Sequence, residues 1–159
     1  MNKNLNSKKF RFYFNKTIYR IYGILIDHIS HNLKFILGKR KYFFFCFIKF
    51  VIIFDKKFKF KKFKIRNYYD YITVREIFIL ECYSLENLLY YEEILNYYLS
   101  SSQAKIPLII DCGSNIGAST YYFNKTYELA KIISIEADEN NFQLLSKNID
   151  DVNVVKNLN

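Results

Sequence analysis

Residues 106–149 leave this chain few folds to choose from. Two short apolar runs alternate there with two helical patterns, and a glycine-bearing loop stands at the first joint. Pro107 opens the first run, 108–110, which reads as a fully buried parallel strand. Asp111 ends it, and Gly113, Asn115 and Gly117 follow in a tight turn. A helix is predicted over 118–129, with Ile116, Thr120, Phe123, Tyr127 and Ala130 on one stripe. A second strand, 132–135, ends at Glu136. Asp138 is a good N-cap for a second helix that buries Phe142, Leu145 and Ile149, and a third strand begins over 152–155. The pattern is β-α-β-α-β, the nucleotide-binding half of a doubly wound α/β sheet.

The loop after the first strand carries a physical logic. Glycines there let backbone approach a ligand with no Cβ in the way. The following helix points its free N–H groups at the same spot. An acid at the end of the second strand can accept hydrogen bonds from ribose hydroxyls, and Glu136 lies 23 residues after Gly113, close to the spacing of about 20 that this arrangement uses. Two familiar phosphate loops do not fit. The dinucleotide fingerprint G-x-G-x-x-G, started at Gly113, meets Asn115 and Ala118 where glycines belong. The P-loop, started at the same residue, meets Ala118 and Ser119 where it needs Gly and Lys. The string D-x-G-x-N-x-G suits a ligand with an adenosine and a zwitterionic tail better than a pyrophosphate. A nicotinamide-dependent dehydrogenase half is accordingly the weakest of the readings.

The strings IIDCGSNIGAST and IISIEADENNFQLLSKNI resemble the first two cofactor-binding motifs of the FkbM-type methyltransferases, which use S-adenosylmethionine, and REIFILECYSLEN is similar to the lead-in that these proteins carry. The resemblance covers about residues 70–159. It implies a Rossmann-like S-adenosylmethionine methyltransferase fold, of which this sequence holds the first half. It implies that Asp111, Gly113, Asn115 and Gly117 line the methionine end of the cofactor, that Glu136 holds the ribose hydroxyls and that Asp138 lies near the adenine. Ala137 stands where the family commonly has Pro. The implied reaction is methyl transfer to a hydroxyl of a small molecule or glycan. The implied fold has seven strands, so the chain reads as a truncated piece without its acceptor-binding half, and no catalytic residue can be named.

Charge divides the rest. Residues 1–66 hold 18 Lys and Arg against Asp27 and Asp55, a net +16, while residues 67–159 carry a net −7. We therefore divide the chain into a basic, aromatic-rich α/β N-terminal extension (1–66), a strand-and-helix lead-in (67–105) and the half domain (106–159). Within the extension, 17–37 reads as an amphipathic helix with Ile18, Ile21, Leu25, Ile29, Leu33 and Ile36 at spacings of three and four. Its His28 and His31 are expected to face solvent. Residues 42–54 form a buried helix or strand, too short to span a bilayer, which needs about 20 residues. Residues 56–66 alternate Phe and Lys as an edge strand does, Phe58 and Phe60 inward, with a one-residue slip before Phe63 and Ile65. In the lead-in, 71–82 is rich in β-branched and aromatic residues and reads as a strand. Ser84 then caps a helix to about Leu99 with Leu85, Leu88, Leu95 and Leu99 buried, and 100–103 forms a polar link.

Three widely spaced cysteines and two histidines make neither a disulfide framework nor a metal centre, so no metal is expected, and Cys112 reads as a small buried filler. No secretory signal pattern opens the chain, which suggests a cytoplasmic protein. Nucleic-acid binding lacks any supporting motif. A peripheral contact of 1–66 with an anionic membrane fits the charge, and it supports a second reading of the whole chain as a non-catalytic basic module for anionic membrane or nucleic acid.

Overall fold

The computed structural model describes residues 22–55 and 59–150, together with the backbone of 154–158. Its chain is mixed α/β. Among the described residues there are five helices and two three-stranded sheets, one antiparallel and one parallel. The elements are α1 (22–36), β1 (Tyr42–Cys46), β2 (Phe50–Asp55), β3 (Phe60–Lys64), α2 (Tyr68–Phe78), α3 (Tyr91–Ala104), β4 (Leu108–Cys112), α4 (Ala118–Thr126), β5 (Lys131–Glu136), α5 (Glu139–Asn148) and β6 (Val154–Leu158).

The apolar run over 42–54 is not one element but a hairpin. It turns at 47–49, where Phe47 N–H donates to the Phe50 carbonyl at 2.8 Å. The interruption by Lys49 marks that turn, because a charged side chain is cheapest at an exposed tip. Phe44, Val51 and Ile53 face the core. β3 is an edge strand of this sheet, but its inward residue is Phe63, while Phe60 is exposed. The inward register runs 61, 63, 65, so the lysine Lys61 takes the position that an inward Phe60 would have shifted. Phe58 lies outside the described residues, as do Ile18, Ile21 and Val152.

The predicted strand over 71–82 is wrong: 71–78 belong to α2 and 79–82 to the turn that follows it. Asn67 caps it by accepting from the N–H groups of Tyr69 and Asp70. Its buried residues Asp70, Tyr71, Val74, Ile77 and Phe78 recur at helical spacing. Strand propensity yields here to a strong cap and a stripe that packs against β1, β2 and α4. α3 also differs. It starts at Tyr91 without a side-chain cap, runs through the polar 100–103 and has no buried residue; Leu88 and Leu99 are exposed. Ser84 sits instead in a turn, its N–H on the Glu81 carbonyl.

The histidines of α1 do not face solvent. His31 is buried, with Nε2 2.7 Å from the Tyr42 carbonyl, and His28 lies against the Phe44 ring at 5.1 Å. Burial holds both imidazoles below their ordinary pKa. Asn32 closes a two-way bond with the Phe44 backbone, and Asp27 pairs with Arg75 of α2. The polar side of α1 is thus its packed side, and the apolar stripe Leu25, Ile29, Leu33 and Ile36 is exposed.

β4 pairs with β5, and β5 with β6, all parallel, in the order β4-β5-β6. Leu108 and Ile110 are exposed, contrary to the expectation of a fully buried strand, because β4 is an edge strand of the described sheet. Cys112 is exposed too. The two sheets are tied by Asn148 at the end of α5. Its buried amide donates to the carbonyls of Ile116 and Lys64 and accepts from the Lys64 N–H, so all three bonds cross between elements. One cluster of buried apolar side chains runs from Phe44 and Val51 through Phe78 to Ile116, Ile132 and Ile149, on both sides of Arg66. No helix among the described residues is long and apolar enough to cross a membrane.

Candidate functional site

The loop 113–117 joins the carboxyl end of β4 to α4. Three of its residues have positive φ: Gly113 at 78°, Asn115 at 49° and Gly117 at 88°. For Gly117 the reason is doubled, since an added Cβ would stand 2.7 Å from Ile149 Cγ1. Over Gly113 a Cβ would meet nothing within 4 Å, so the loop presents open backbone there. α4 starts at Gly117 without a side-chain cap, which leaves its first turn to other acceptors.

The loop is stitched to the end of the neighbouring strand. The N–H groups of Gly113 and Ser114 both reach the Ile135 carbonyl, at 2.9 and 3.0 Å. The buried Ser114 hydroxyl donates to the Asp111 carbonyl at 2.6 Å. Asn115 N–H donates to Glu136 Oε2 at 2.6 Å, and Asn115 Nδ2 reaches Thr73 of α2 at 3.3 Å. The other oxygen of Glu136 accepts from Asp138 N–H at 2.9 Å and from Asn141 Nδ2 at 3.4 Å. Glu136 therefore uses three of the four acceptor directions of a carboxylate. Asp138 caps α5 as expected, accepting from Asn141 N–H at 2.8 Å.

Asp111 is placed differently from its loop neighbours. It is buried, and its Oδ2 accepts from the hydroxyls of Ser119 at 2.9 Å and Thr120 at 2.6 Å. Thr120 in turn meets Ser134 at 2.8 Å. The carboxylate points beneath the first turn of α4 and fastens that helix to the sheet. The structure thus gathers Gly113, Asn115, Gly117, Glu136 and Asp138 at the carboxyl ends of β4 and β5 and sets Asp111 under them. Ser119, Thr120, Ser134, Thr73 and Asn141 complete the arrangement. Sequence reasoning placed Thr120 on the stripe of the helix and assigned none of them to the site, though Ser119 and Thr120 stand one turn into the helix, where hydroxyls reach a strand-end acid. Arg66 stands nearby: it grips Asp70 with two nitrogens and donates to Asn141 Oδ1 at 2.6 Å. Its pKa is raised chiefly by the bond to Asp70, with Asp138 and Glu136 adding attraction.

Among the described residues, the larger groove lies elsewhere. It has about 750 Å3 between α3 and the β4–α4 unit and is lined by Ile94, Tyr98, Pro107, Leu108, Phe123 and Tyr127. In the candidate loop Gly113 is exposed, Asn115 half-buried and Ser114, Ile116 and Gly117 buried. In open α/β sheets a ligand crevice forms between loops on either side of a reversal in strand order. β4 is the edge strand of the described sheet on that side. No group of His, Cys, Asp and Glu that could hold a metal ion occurs among the described residues. No protein-family model matches the chain, and no curated protein matches it.

Proposed function

We propose that this chain carries the cofactor-binding part of a Rossmann-like, S-adenosylmethionine-dependent methyltransferase of the FkbM type. The observation that carries this reading is the meeting of loop and acid: Asn115 N–H and Glu136 bond at 2.6 Å across the carboxyl ends of two adjacent parallel strands. The β4-β5-β6 order supports it, being the order of the first half of a doubly wound sheet read outward from its centre.

The residues fit such a cofactor. The open backbone at Gly113 admits the amino-acid tail, the uncapped start of α4 suits its carboxylate, and the fourth acceptor direction of Glu136 is left for a ribose hydroxyl. Asp138, exposed beside it, would lie near the base. Asp111 acts from below by holding α4 and the loop in register. When bound, the cofactor supplies an electrophilic methyl. Gly113, Asn115, Gly117 and Glu136 would hold the cofactor, and the methyl would be available for transfer to an acceptor hydroxyl on a small molecule or glycan. Rate enhancement in such a transfer rests on alignment. No residue of the chain is assigned as catalytic.

The test is thermal. S-adenosylhomocysteine at about 100 times its dissociation constant adds about 2.7 kcal/mol. That raises the melting temperature of a chain this size by about 5–11 °C. Glu136→Ala removes the rise. A melting curve unmoved by millimolar ligand refutes the cofactor reading.

A further inference from the structure

We propose that α1 and the tip of the β1–β2 hairpin form a docking surface for an anionic lipid bilayer. This is independent of the methyltransferase reading. Its starting point is the inverted helix. α1 is pinned through Asp27, His31 and Asn32 to Arg75, the Tyr42 carbonyl and the Phe44 backbone. Those bonds fix which side faces outward. On that side Ile29 is 69 % and Ile36 71 % exposed. Leu25, Ile29, Leu33 and Ile36 share a groove of about 460 Å3 with Phe45 of β1. Phe47 packs on Phe45 at 4.8 Å, and Ile48 at the hairpin tip is 92 % exposed. A continuous apolar surface of this kind marks an interaction site.

Charge selects the occupant. Lys39 and Lys49 are exposed just after α1 and at the hairpin tip, while Lys34 lies on the packed side beside Asp27, His31 and Arg75. Among residues 1–54 the single acid is Asp27, and it is spent on Arg75 on the packed side. The sequence of 1–21 adds six cations and no acid. A second copy of the chain would bring the same positive surface against this one. Nucleic acid would answer the charge and leave the apolar stripe in water. An anionic bilayer answers both: acyl chains take the stripe, and headgroups take the lysines. The helix lies in the interface plane and does not cross it.

The experiment is vesicle flotation of the full chain, with phosphatidylcholine alone and with phosphatidylcholine and phosphatidylglycerol in equal parts. The chain is expected to float with the anionic vesicles only. Lys39→Gln and Lys49→Gln should each weaken partitioning about fivefold, since a basic residue near the surface contributes about 1 kcal/mol. Ile29→Glu with Leu33→Glu should abolish flotation and leave the melting temperature in place, both residues being exposed. Because the chain has no tryptophan, Leu33→Trp gives a single reporter that does not depend on those variants. Its emission should shift to the blue with anionic vesicles and not with neutral ones. No flotation of the parent chain overturns the proposal. So does a Leu33→Trp emission that anionic vesicles leave unchanged, or a dimer in size-exclusion that Ile29→Glu dissociates while flotation is absent.

Discussion

Replacing Glu136 by Gln changes one atom and should cost more than its size suggests. The carboxylate takes Asn115 N–H on one oxygen and Asp138 N–H with Asn141 Nδ2 on the other. A glutamine has one oxygen, so its NH2 end must face a donor. Asn141 cannot simply flip to help, because its Oδ1 already accepts from Arg66. One buried donor left without an acceptor costs about 1–3 kcal/mol, and trading a charged acceptor for a neutral one on the remaining side costs about 1 kcal/mol more. The total is about 2–4 kcal/mol, a fall of about 4–16 °C in melting temperature for a chain of this length. Glu136→Ala should cost no more than Glu136→Gln, since water can enter beside the exposed Ala137 and Asp138 and satisfy the freed N–H groups. Differential scanning fluorimetry gives the shift, and hydrogen exchange at the Asn115 amide locates it: protected in the parent chain, fast in Glu136→Ala. A Gln variant within about 1 kcal/mol of the parent, or an Asn115 amide already unprotected in the parent, would refute the carboxylate as the clasp of the loop.

The two glycines of the loop should separate by denaturant titration. Gly113→Ala meets only the backbone penalty of positive φ, about 1–2 kcal/mol, because the space over it is open. Gly117→Ala adds a clash with the buried Ile149, for about 2–5 kcal/mol in all, and equal losses at the two positions would contradict the packing. Stability should also depend on His31. Burial lowers its folded pKa below 6.5, against a smaller upward pull from the Tyr42 carbonyl; Arg40 and Lys34 lower it further and Glu81 raises it. The unfolded chain then binds the proton first, so stability is complete above pH 6.5 and is lost as pH falls from there through the folded value. His31→Gln, which keeps a donor for the Tyr42 carbonyl, should reduce the slope of the melting temperature over that window and leave the part that His28 contributes; a parent chain that gains stability on acidification would contradict the burial.

Local spacing alone determined the second part of the chain. Apolar runs of three or four residues, a cap such as Asp138 and glycines at a strand end act within one turn or one strand, so 108–148 was legible element by element. The candidate site was legible in the same way, since its loop and acid sit at strand ends that parallel pairing brings side by side. What sequence could not decide was which face of an element finds a partner. The segment 71–82 had the composition of a strand and 71–78 became helix, because Asn67 caps it and its helical stripe meets two layers at once. α1 had a clear apolar stripe and packs by its polar side, because Asp27, His31 and Asn32 find a cation and backbone groups of β1 and α2 that lie 11 to 48 residues away. Asp111 has the strand-end position of a ligand residue, yet two hydroxyls of α4 claim its carboxylate. Spacing along the chain fixes how an element repeats; the partner that satisfies a buried polar group belongs to another element, and only the tertiary structure brings the two together.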